Sequence, residues 1–360
     1  MEKKKIIVGL SGGVDSSVAA YLLKKEGHEV IGVTMVNFSQ QEEDGSDTQD
    51  KIAGDAAKVA EFLGIPHYIV DFCQPFKENV MDYFISEYLS GRTPNPCVVC
   101  NRKVKWEAMM QKGKELGADY MATGHYAQIE QLPNGRYTLK CSATSAKDQT
   151  YALYGLTQEQ LSHTIMPLGA YEKEEIRKIA LEAGIPVAEK PDSMEICFIP
   201  DKDYAKFIQE NTDFKVKKGN YVTPSGEVIG QHQGIIHYTV GQRKGLNLAM
   251  GRPVFVTEIR PETNEVVIGD NQDVFAPALR CSQLNPVAVS EFQEGMEVWT
   301  KIRYNHKGAE AVIRKVQGDF MIIEFKEPQR AITPGQAVVF YQGEHVVGGG
   351  VIDAPIKSGF

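Results

Sequence analysis

The chain has 360 residues, 42% of them hydrophobic and 24% charged, with a formal net charge of −8. That length exceeds one ordinary core and is expected to give two or three domains. The composition is that of a soluble globular enzyme, with no apolar run near the roughly 20 residues of a membrane span. The acidic balance excludes a wholly basic nucleic-acid coat but not a local basic face, because a patch rather than the average charge binds a phosphate backbone.

The opening "MEKKKIIVGL" is basic and then apolar for too short a distance to be a secretory signal, and it runs into a strand. A cytoplasmic protein with no membrane association is therefore expected, and its six cysteines are read as thiols rather than structural disulfides. Cys73, Cys141 and Cys281 have no local partner and read as packing residues.

"KKIIVGL" reads as a buried parallel strand, residues 15–25 as a helix with Val14, Val18 and Leu22 on one face, and "HEVIGVTM" as the next strand. A polar, acidic loop around residues 40–50 leads to a helix over 56–63 and a third strand, "PHYIVDF". After a Pro-rich turn, residues 104–116 read as a helix, and "DYMATGHYA" as a strand ending in a Gly-containing loop. Strand and helix in alternation predict an α/β domain whose parallel sheet is covered on both faces, with ligands at the carboxyl ends of its strands.

Past about Pro200 the pattern changes. The short helix "DYAKFIQEN" gives way to strand runs such as "PVFVTEIRPETNEVVIG", with a turn near residues 261–264. From Cys281 onward, short strands punctuated by Gly and Pro suggest a small barrel or sandwich. The expected organisation is a catalytic domain over 1–200, a central mostly β domain over 201–280 and a C-terminal β-barrel over 281–360. There is no repeat, coiled coil or low-complexity tract.

The first chemical signal is the loop "LSGGVDSS" at residues 10–17. Gly12 and Gly13 let the backbone approach a bulky anion, and the hydroxyls of Ser11, Ser16 and Ser17 can donate to phosphate oxygens. The following helix points its positive end at the same place. The loop lacks the lysine of a Walker loop and the third glycine of a dinucleotide fingerprint. It resembles the SGGxDS loop of the PP-loop ATP pyrophosphatase family, which holds pyrophosphate while an adenylyl group is transferred. That resemblance implies ATP contact from Gly9, Leu10, Ser11, Gly12, Gly13, Val14, Asp15 and Ser16, with Met35 and Gly124 on the adenine and ribose side.

The turn "RTPNPCVVCNRKVKW" carries Cys97 and Cys100, and a third cysteine, Cys197, sits in "KPDSMEICFIP". With "TGHYA", "KDQTYALY" and the β-rich second half, these motifs resemble the tRNA-specific 2-thiouridylase family along essentially the whole chain. The resemblance implies an adenine nucleotide alpha hydrolase-like PP-loop domain followed by a small β domain and a β-barrel. It implies ATP-dependent replacement of the 2-oxygen of a tRNA wobble uridine by sulfur, with magnesium as cofactor. It also implies a sulfur-donor protein such as a cysteine desulfurase or sulfur carrier, and the tRNA anticodon arm as partner. Cys197 would carry a persulfide and Cys100 would resolve it, leaving a Cys100–Cys197 disulfide to be reduced.

The basic run Arg102, Lys103 and Lys105 and a helix expected to start after Asn101 would both favour a thiolate at Cys100. Near Cys197, Lys190 is the nearby cation in the sequence. Many thiouridylases carry aspartate at the position of Cys97, proposed there as a proton-transfer partner, a role a cysteine does not take over unchanged. Three cysteines are also what related thiolases use to hold a four-iron four-sulfur cluster, so Cys97, Cys100 and Cys197 as iron–sulfur ligands stand beside the persulfide route. Zinc fits less well, since only one close cysteine pair exists.

For tRNA, the resemblance assigns contact with the target base to Asn95, Pro96 and Cys97, and contact near the anticodon to Lys147, Asp148 and Gln149. Arg303 and Tyr304, within "KIRYNHKG", match a further tRNA position, and an aromatic beside cations suits RNA. Lys215, Lys217, Lys218, Arg243 and Lys244 are further candidates for phosphate contact, and His125 is a candidate whose simpler reading is structural. The rival reading, a PP-loop ligase acting on a small metabolite, leaves the three cysteines and the basic C-terminal stretch without a task.

Overall fold

The computed structural model describes residues 2–38, 48–191 and 196–358, with the backbone alone at 48 and 49. Most of the polar loop expected around 40–50, and Ser193, Met194 and Glu195 of "SMEICFIP", lie outside the described residues. The chain forms two compact units, one of Met1–Met81, Cys97–Phe198 and Glu344–Val346, the other of Asp82–Pro96, Ile199–Gly343 and Val347–Phe360.

The first unit is built on strands β1 (Lys5–Gly9), β2 (Glu29–Val36), β3 (His67–Asp71) and β4 (Tyr120–Ala122). A hairpin follows, β5 (Gln128–Gln131) and β6 (Tyr137–Lys140), and then the short β7 (Thr164–Ile165). All sheet partners are parallel in the order β3-β2-β1-β4-β7. Ile6, Ile7 and Val8 of β1 are wholly buried. Ile6 and Val8 share a core with Val14, Val18 and Leu23 of helix α1 (Val14–Lys25) and Ala56, Val59 and Leu63 of helix α2 (Thr48–Leu63). Ile7, pointing the opposite way, meets Gly113 of the helix Glu107–Glu115. Alternating side chains thus explain why β1 reads as a continuous apolar run: helices cover both faces.

Two elements differ from the expectation. The helix expected over 104–116 begins eight residues earlier, at Pro96, and passes through a wider π-type stretch, Cys100–Trp106, before Glu107–Glu115. A proline suits a first helical position, where no partner for its missing N–H is needed. "DYMATGHYA" is a strand only over Tyr120–Ala122, because the chain turns at Gly124 to pack on α1.

In the second unit, β8 (Gly219–Val222), β9 (Val228–His232), β10 (Phe255–Arg260) and β11 (Glu265–Gly269) form a sheet ordered β10-β11-β8-β9. Asn264, at φ 52, supplies the left-handed residue of the β10–β11 turn. The last strands are β12 (Phe275–Pro286), β13 (Glu297–Lys301), β14 (Ala309–Gln317), β15 (Phe320–Arg330), β16 (Ala337–Gln342) and β17 (His345–Ile356). They run in the order β12-β15-β14-β13-β16-β17, and β17 pairs back onto β12, closing a six-stranded barrel around Leu279, Ile313, Ile323, Val338 and Phe340. Closure removes free strand edges. The helix Asp82–Leu89 belongs to this unit, with Tyr88 stacked on Tyr204 at 5.0 Å and Phe84 edge-on to Phe207 at 6.1 Å.

Candidate active site

At the carboxyl end of β1 the Leu10 N–H donates to the Val33 carbonyl at 2.8 Å, and the Thr34 hydroxyl donates to the Leu10 carbonyl at 2.8 Å. The loop is therefore fastened to β2 before it turns. Gly12 has φ +65, and a Cβ there would lie 2.8 Å from the Ile52 carbonyl oxygen, so both conformation and space require glycine. Gly13 caps α1 without any side-chain hydrogen bond. The Ser16 and Ser17 hydroxyls donate instead to the Gly13 carbonyl, at 3.1 and 2.8 Å. The first-turn N–H groups of α1 thus have no side-chain cap, which is the arrangement that accepts an anion. Leu10 and Val14 are buried, so contact with a nucleotide from these positions and Gly9 falls to the backbone.

Asp15 turns away from this anion site. Its carboxylate accepts from Lys173 Nζ at 2.7 and 2.9 Å and from the Tyr126 hydroxyl at 2.8 Å. Gly124 packs against the same first turn: a Cβ there would lie 2.6 Å from the Ser16 nitrogen. Met35 is half-buried near the end of β2. Lys173 and Tyr126 were not singled out as partners of this loop by sequence reasoning, and no local signal marks a contact 158 residues apart in the chain.

Lys190, the cation nearest Cys197 in the sequence, donates to the Gly12 carbonyl at 3.1 Å and to Asp55 at 2.9 Å, so activation of Cys197 is left to the fold. The Lys190 hydrogen bond holds the Asp55 carboxyl below its usual range, against the opposing effect of burial and with help from Lys58. A depressed carboxylate adds stability above its unfolded-state pKa, and that stability is lost as pH falls through the folded value. Lys190→Met is therefore expected to lower stability at neutral pH by about 0.5–1 kcal/mol, as partly exposed pairs do. The difference should shrink as pH falls through the depressed Asp55 value, which urea unfolding at several pH values would measure.

Cys97, Cys100 and Cys197 come together in the first unit. Cys97 and Cys100 lie one turn apart on the helical run that starts at Pro96, Cys97 exposed and Cys100 only 7% exposed. Phe198, next to Cys197, sets its ring edge-on to Phe76 at 5.6 Å, and the helix Cys73–Phe76 packs against the Cys100–Trp106 stretch. Burial pushes the Cys100 thiol up, opposed by the Lys105 ammonium and reinforced by Cys97. Cys197 is exposed to solvent, yet the protein packed around it pushes its thiol up to about 12, with Cys100 and Cys97 adding and Lys105 opposing.

The expected thiolate-favouring helix start at Cys100 is thus corrected. The helical run begins at Pro96 rather than after Asn101, Cys100 is inside it, and burial outweighs the local cations. Of the basic run, Lys103 pairs with Glu107 at 3.1 Å, whereas the charge of Lys105 reaches Cys100, Cys197 and His125. His125 hydrogen-bonds through Nδ1 to the Thr123 hydroxyl at 2.7 Å and its ring lies 5.4 Å from Trp106. Burial, with Lys105 adding, holds it well below the ordinary histidine value, so it is neutral. Gly124 and His125 therefore join the two halves of the site, one touching the ATP loop and the other facing the cation of the cysteine cluster.

Among the described residues no three His, Cys, Asp or Glu side chains converge as a metal-binding group. A four-iron four-sulfur cluster takes its thiolates on separate irons rather than on one ion, and Cys97, Cys100 and Cys197, whose charges act on one another, are the residues that would hold one.

The residues expected at tRNA hold varied local positions. Asp148 accepts from the Ser142 N–H at 2.8 Å and from the Thr150 N–H at 3.2 Å, and the Gln149 side-chain oxygen accepts from the Tyr126 N–H at 2.8 Å. Both side chains shape the turn that begins with the half-buried Lys147. Asn95 and Pro96 follow a segment fixed by Gln336, which donates to the Thr93 carbonyl at 2.8 Å. In the barrel, Arg303 donates to the Arg330 carbonyl at 3.1 Å, and Tyr304 is 40% exposed. Trp299, which sequence reasoning passed over, is 45% exposed beside them on β13, its indole N–H donating to the Lys307 carbonyl at 3.3 Å.

A parallel sheet in this order, an uncapped Gly-rich anion loop at the end of its first strand and a cluster of three cysteines on the same unit are the features of a PP-loop ATP-binding domain with thiols beside it. Three family profiles match in succession: a "tRNA methyl transferase HUP domain" over residues 4–201, a "tRNA methyl transferase PRC-barrel domain" over 205–270 and an "Aminomethyltransferase beta-barrel domain" over 277–352. Relatives similar over their whole length carry a different activity in their names. The tRNA-specific 2-thiouridylase MnmA of Lachnoclostridium phytofermentans is 60% identical over 97% of this chain and 99% of its own. Those of Desulfitobacterium hafniense, at 52% over 98% of each chain, and Clostridium perfringens, at 51% over 98% of this chain and 99% of its own, follow. The chain belongs to the tRNA-specific 2-thiouridylase family. A structure of the U34-tRNA thiolase NcsA from Methanococcus maripaludis with its four-iron four-sulfur cluster is 18% identical, covering 58% of this chain and 67% of that one. Its TM-score is 0.35, a likeness that carries no argument here.

Proposed function

We propose that this protein is an ATP-dependent tRNA 2-thiouridylase. The observation that carries the reading is the placement of the cysteine cluster on the same unit as the ATP loop, joined to it through Gly124 and His125. The whole-length relatives give no support to the alternative of a small-metabolite ligase.

The uridine 2-oxygen is a poor leaving group. Its attack on the α-phosphorus of ATP turns it into an adenylate and releases pyrophosphate, whose charge the first-turn N–H groups of α1 take up. Magnesium, where bound, would offset phosphate charge. A terminal persulfide sulfur on Cys197 then forms a bond to C2, and AMP leaves. The Cys100 thiolate next attacks the Cys197 sulfur, breaking the sulfur–sulfur bond, freeing the thiocarbonyl and joining Cys100 to Cys197. Lys105 stabilises the anionic sulfur at each stage, offsetting part of the burial that opposes it. No step is assigned to an iron–sulfur cluster. A cysteine desulfurase or a sulfur-carrier protein would load Cys197, and the exposure of that residue suits such a delivery.

Target uridine contact is assigned to Asn95, Pro96 and Cys97, anticodon-arm contact to the turn Lys147, Asp148 and Gln149, and further RNA contact to Arg303 and Tyr304. Reaching a base atom for such chemistry requires an everted nucleotide. A tRNA transcript incubated with the protein, ATP and a persulfide donor should gain 2-thiouridine, detected by mass spectrometry of nucleosides, with AMP and pyrophosphate formed in step. Pyrophosphate release independent of tRNA, or none, would sink the assignment. Tyr304→Ala is expected to weaken tRNA binding by about 1–3 kcal/mol if the ring stacks on a base, measured by filter binding at fixed salt.

A further inference from the structure

The structure presents three thiols where the reaction above uses two. Cys97 lies one helical turn before Cys100, on the side reached by solvent, and its charge acts on both Cys100 and Cys197. Residues at i and i+3 on a helix are neighbours, and a Cys-x-x-Cys pair at a helix start is a common redox arrangement. We propose that Cys97 is a relay thiol that resolves the Cys100–Cys197 disulfide left by sulfur transfer and moves the oxidised pair to Cys97–Cys100. The inference rests on the persulfide reading of this site.

The exchange conserves atoms and electrons. The Cys97 thiolate attacks the Cys100 sulfur, a Cys97–Cys100 bond forms, the Cys100–Cys197 bond breaks and Cys197 leaves as a thiolate that takes up the proton Cys97 gave. An external dithiol then attacks Cys97, supplies two electrons and two protons, and restores both thiols of the pair.

Exposure decides why the detour helps. Cys100 is too buried for an external thiol to reach its sulfur, whereas Cys97 is open. External attack on Cys197 is open as well, but it holds the carrier in a mixed disulfide until the second thiol of the reductant acts, whereas the relay frees Cys197 for reloading before any reductant arrives.

The test uses the full chain with ATP, a tRNA transcript and glutathione persulfide, no added reductant, and acid quench with N-ethylmaleimide. Cys97 and Cys100 share one tryptic peptide between Arg92 and Arg102, so their disulfide appears as an internally oxidised peptide, whereas Cys100–Cys197 appears as two peptides joined. The internally oxidised peptide, with Cys197 alkylated, is expected to accumulate. In Cys97→Ser and Cys97→Ala the joined peptides should accumulate in place of the internally oxidised one. Joined peptides in the wild type to the same extent as in both variants would overturn the relay and leave the persulfide route standing. Absence of any disulfide after turnover would overturn both.

Discussion

Replacing Cys197 by serine is expected to lower tRNA thiolation to about a thousandth or less, as removal of a nucleophile does, while tRNA-dependent pyrophosphate release continues. The separation follows from where the two half-reactions take place. Adenylation relies on the first-turn N–H groups of α1 and the loop fastened by Leu10 and Thr34, none of which contacts Cys197 through any described hydrogen bond. Sulfur delivery needs a thiol, and a hydroxyl forms no persulfide. Cys100→Ser should lose thiolation to a similar degree but still carry the persulfide on Cys197 when loaded without tRNA, and stall with Cys197 joined through that sulfur to the base when ATP and tRNA are present, because loading and attack on C2 precede resolution. Mass spectrometry of the intact protein after incubation with glutathione persulfide distinguishes the two variants, and equal thiolation by either one would remove these cysteines from the mechanism.

Gly124→Ala is expected to be the most damaging small substitution in the ATP half of the site. The added methyl would lie 2.6 Å from the Ser16 nitrogen and 2.7 Å from the Asp15 carbonyl carbon, both backbone atoms that cannot swing aside as a side chain would. Overpacking of this kind costs about 1–3 kcal/mol, and here the displaced atoms belong to the turn that receives the phosphates. A lower melting temperature together with at least about a tenfold rise in the KM for ATP is the expected outcome. Gly12→Ala should act in the same direction, since its φ of +65 adds a left-handed strain of about 1–2 kcal/mol. A Gly124→Ala enzyme with unchanged ATP kinetics would show that this turn is not the phosphate site.

The sequence by itself determined the parts whose information is local. The apolar run of β1, the turn glycines and the serines of "LSGGVDSS" are contiguous, so strand, loop and helix start follow from periodicity and backbone freedom over about a dozen residues. The close spacing of Cys97 and Cys100 is likewise local, although the helical run that carries both was expected only after Asn101. The parallel sheet followed by β-rich elements was legible because alternation and its loss are visible along the chain.

What only the tertiary structure decided is electrostatic and steric. Asp15 is neutralised by Lys173, Lys190 serves Gly12 and Asp55 rather than Cys197, and Gly124 is glycine because α1 presses against it. The basic run beside Cys100 predicted a low thiol pKa, whereas the folded helix buries that sulfur and raises it, leaving Lys105 as the cation that reaches both Cys100 and Cys197. Burial and Coulomb interaction depend on which distant segments end up within a few ångströms, and no spacing along the chain encodes that distance.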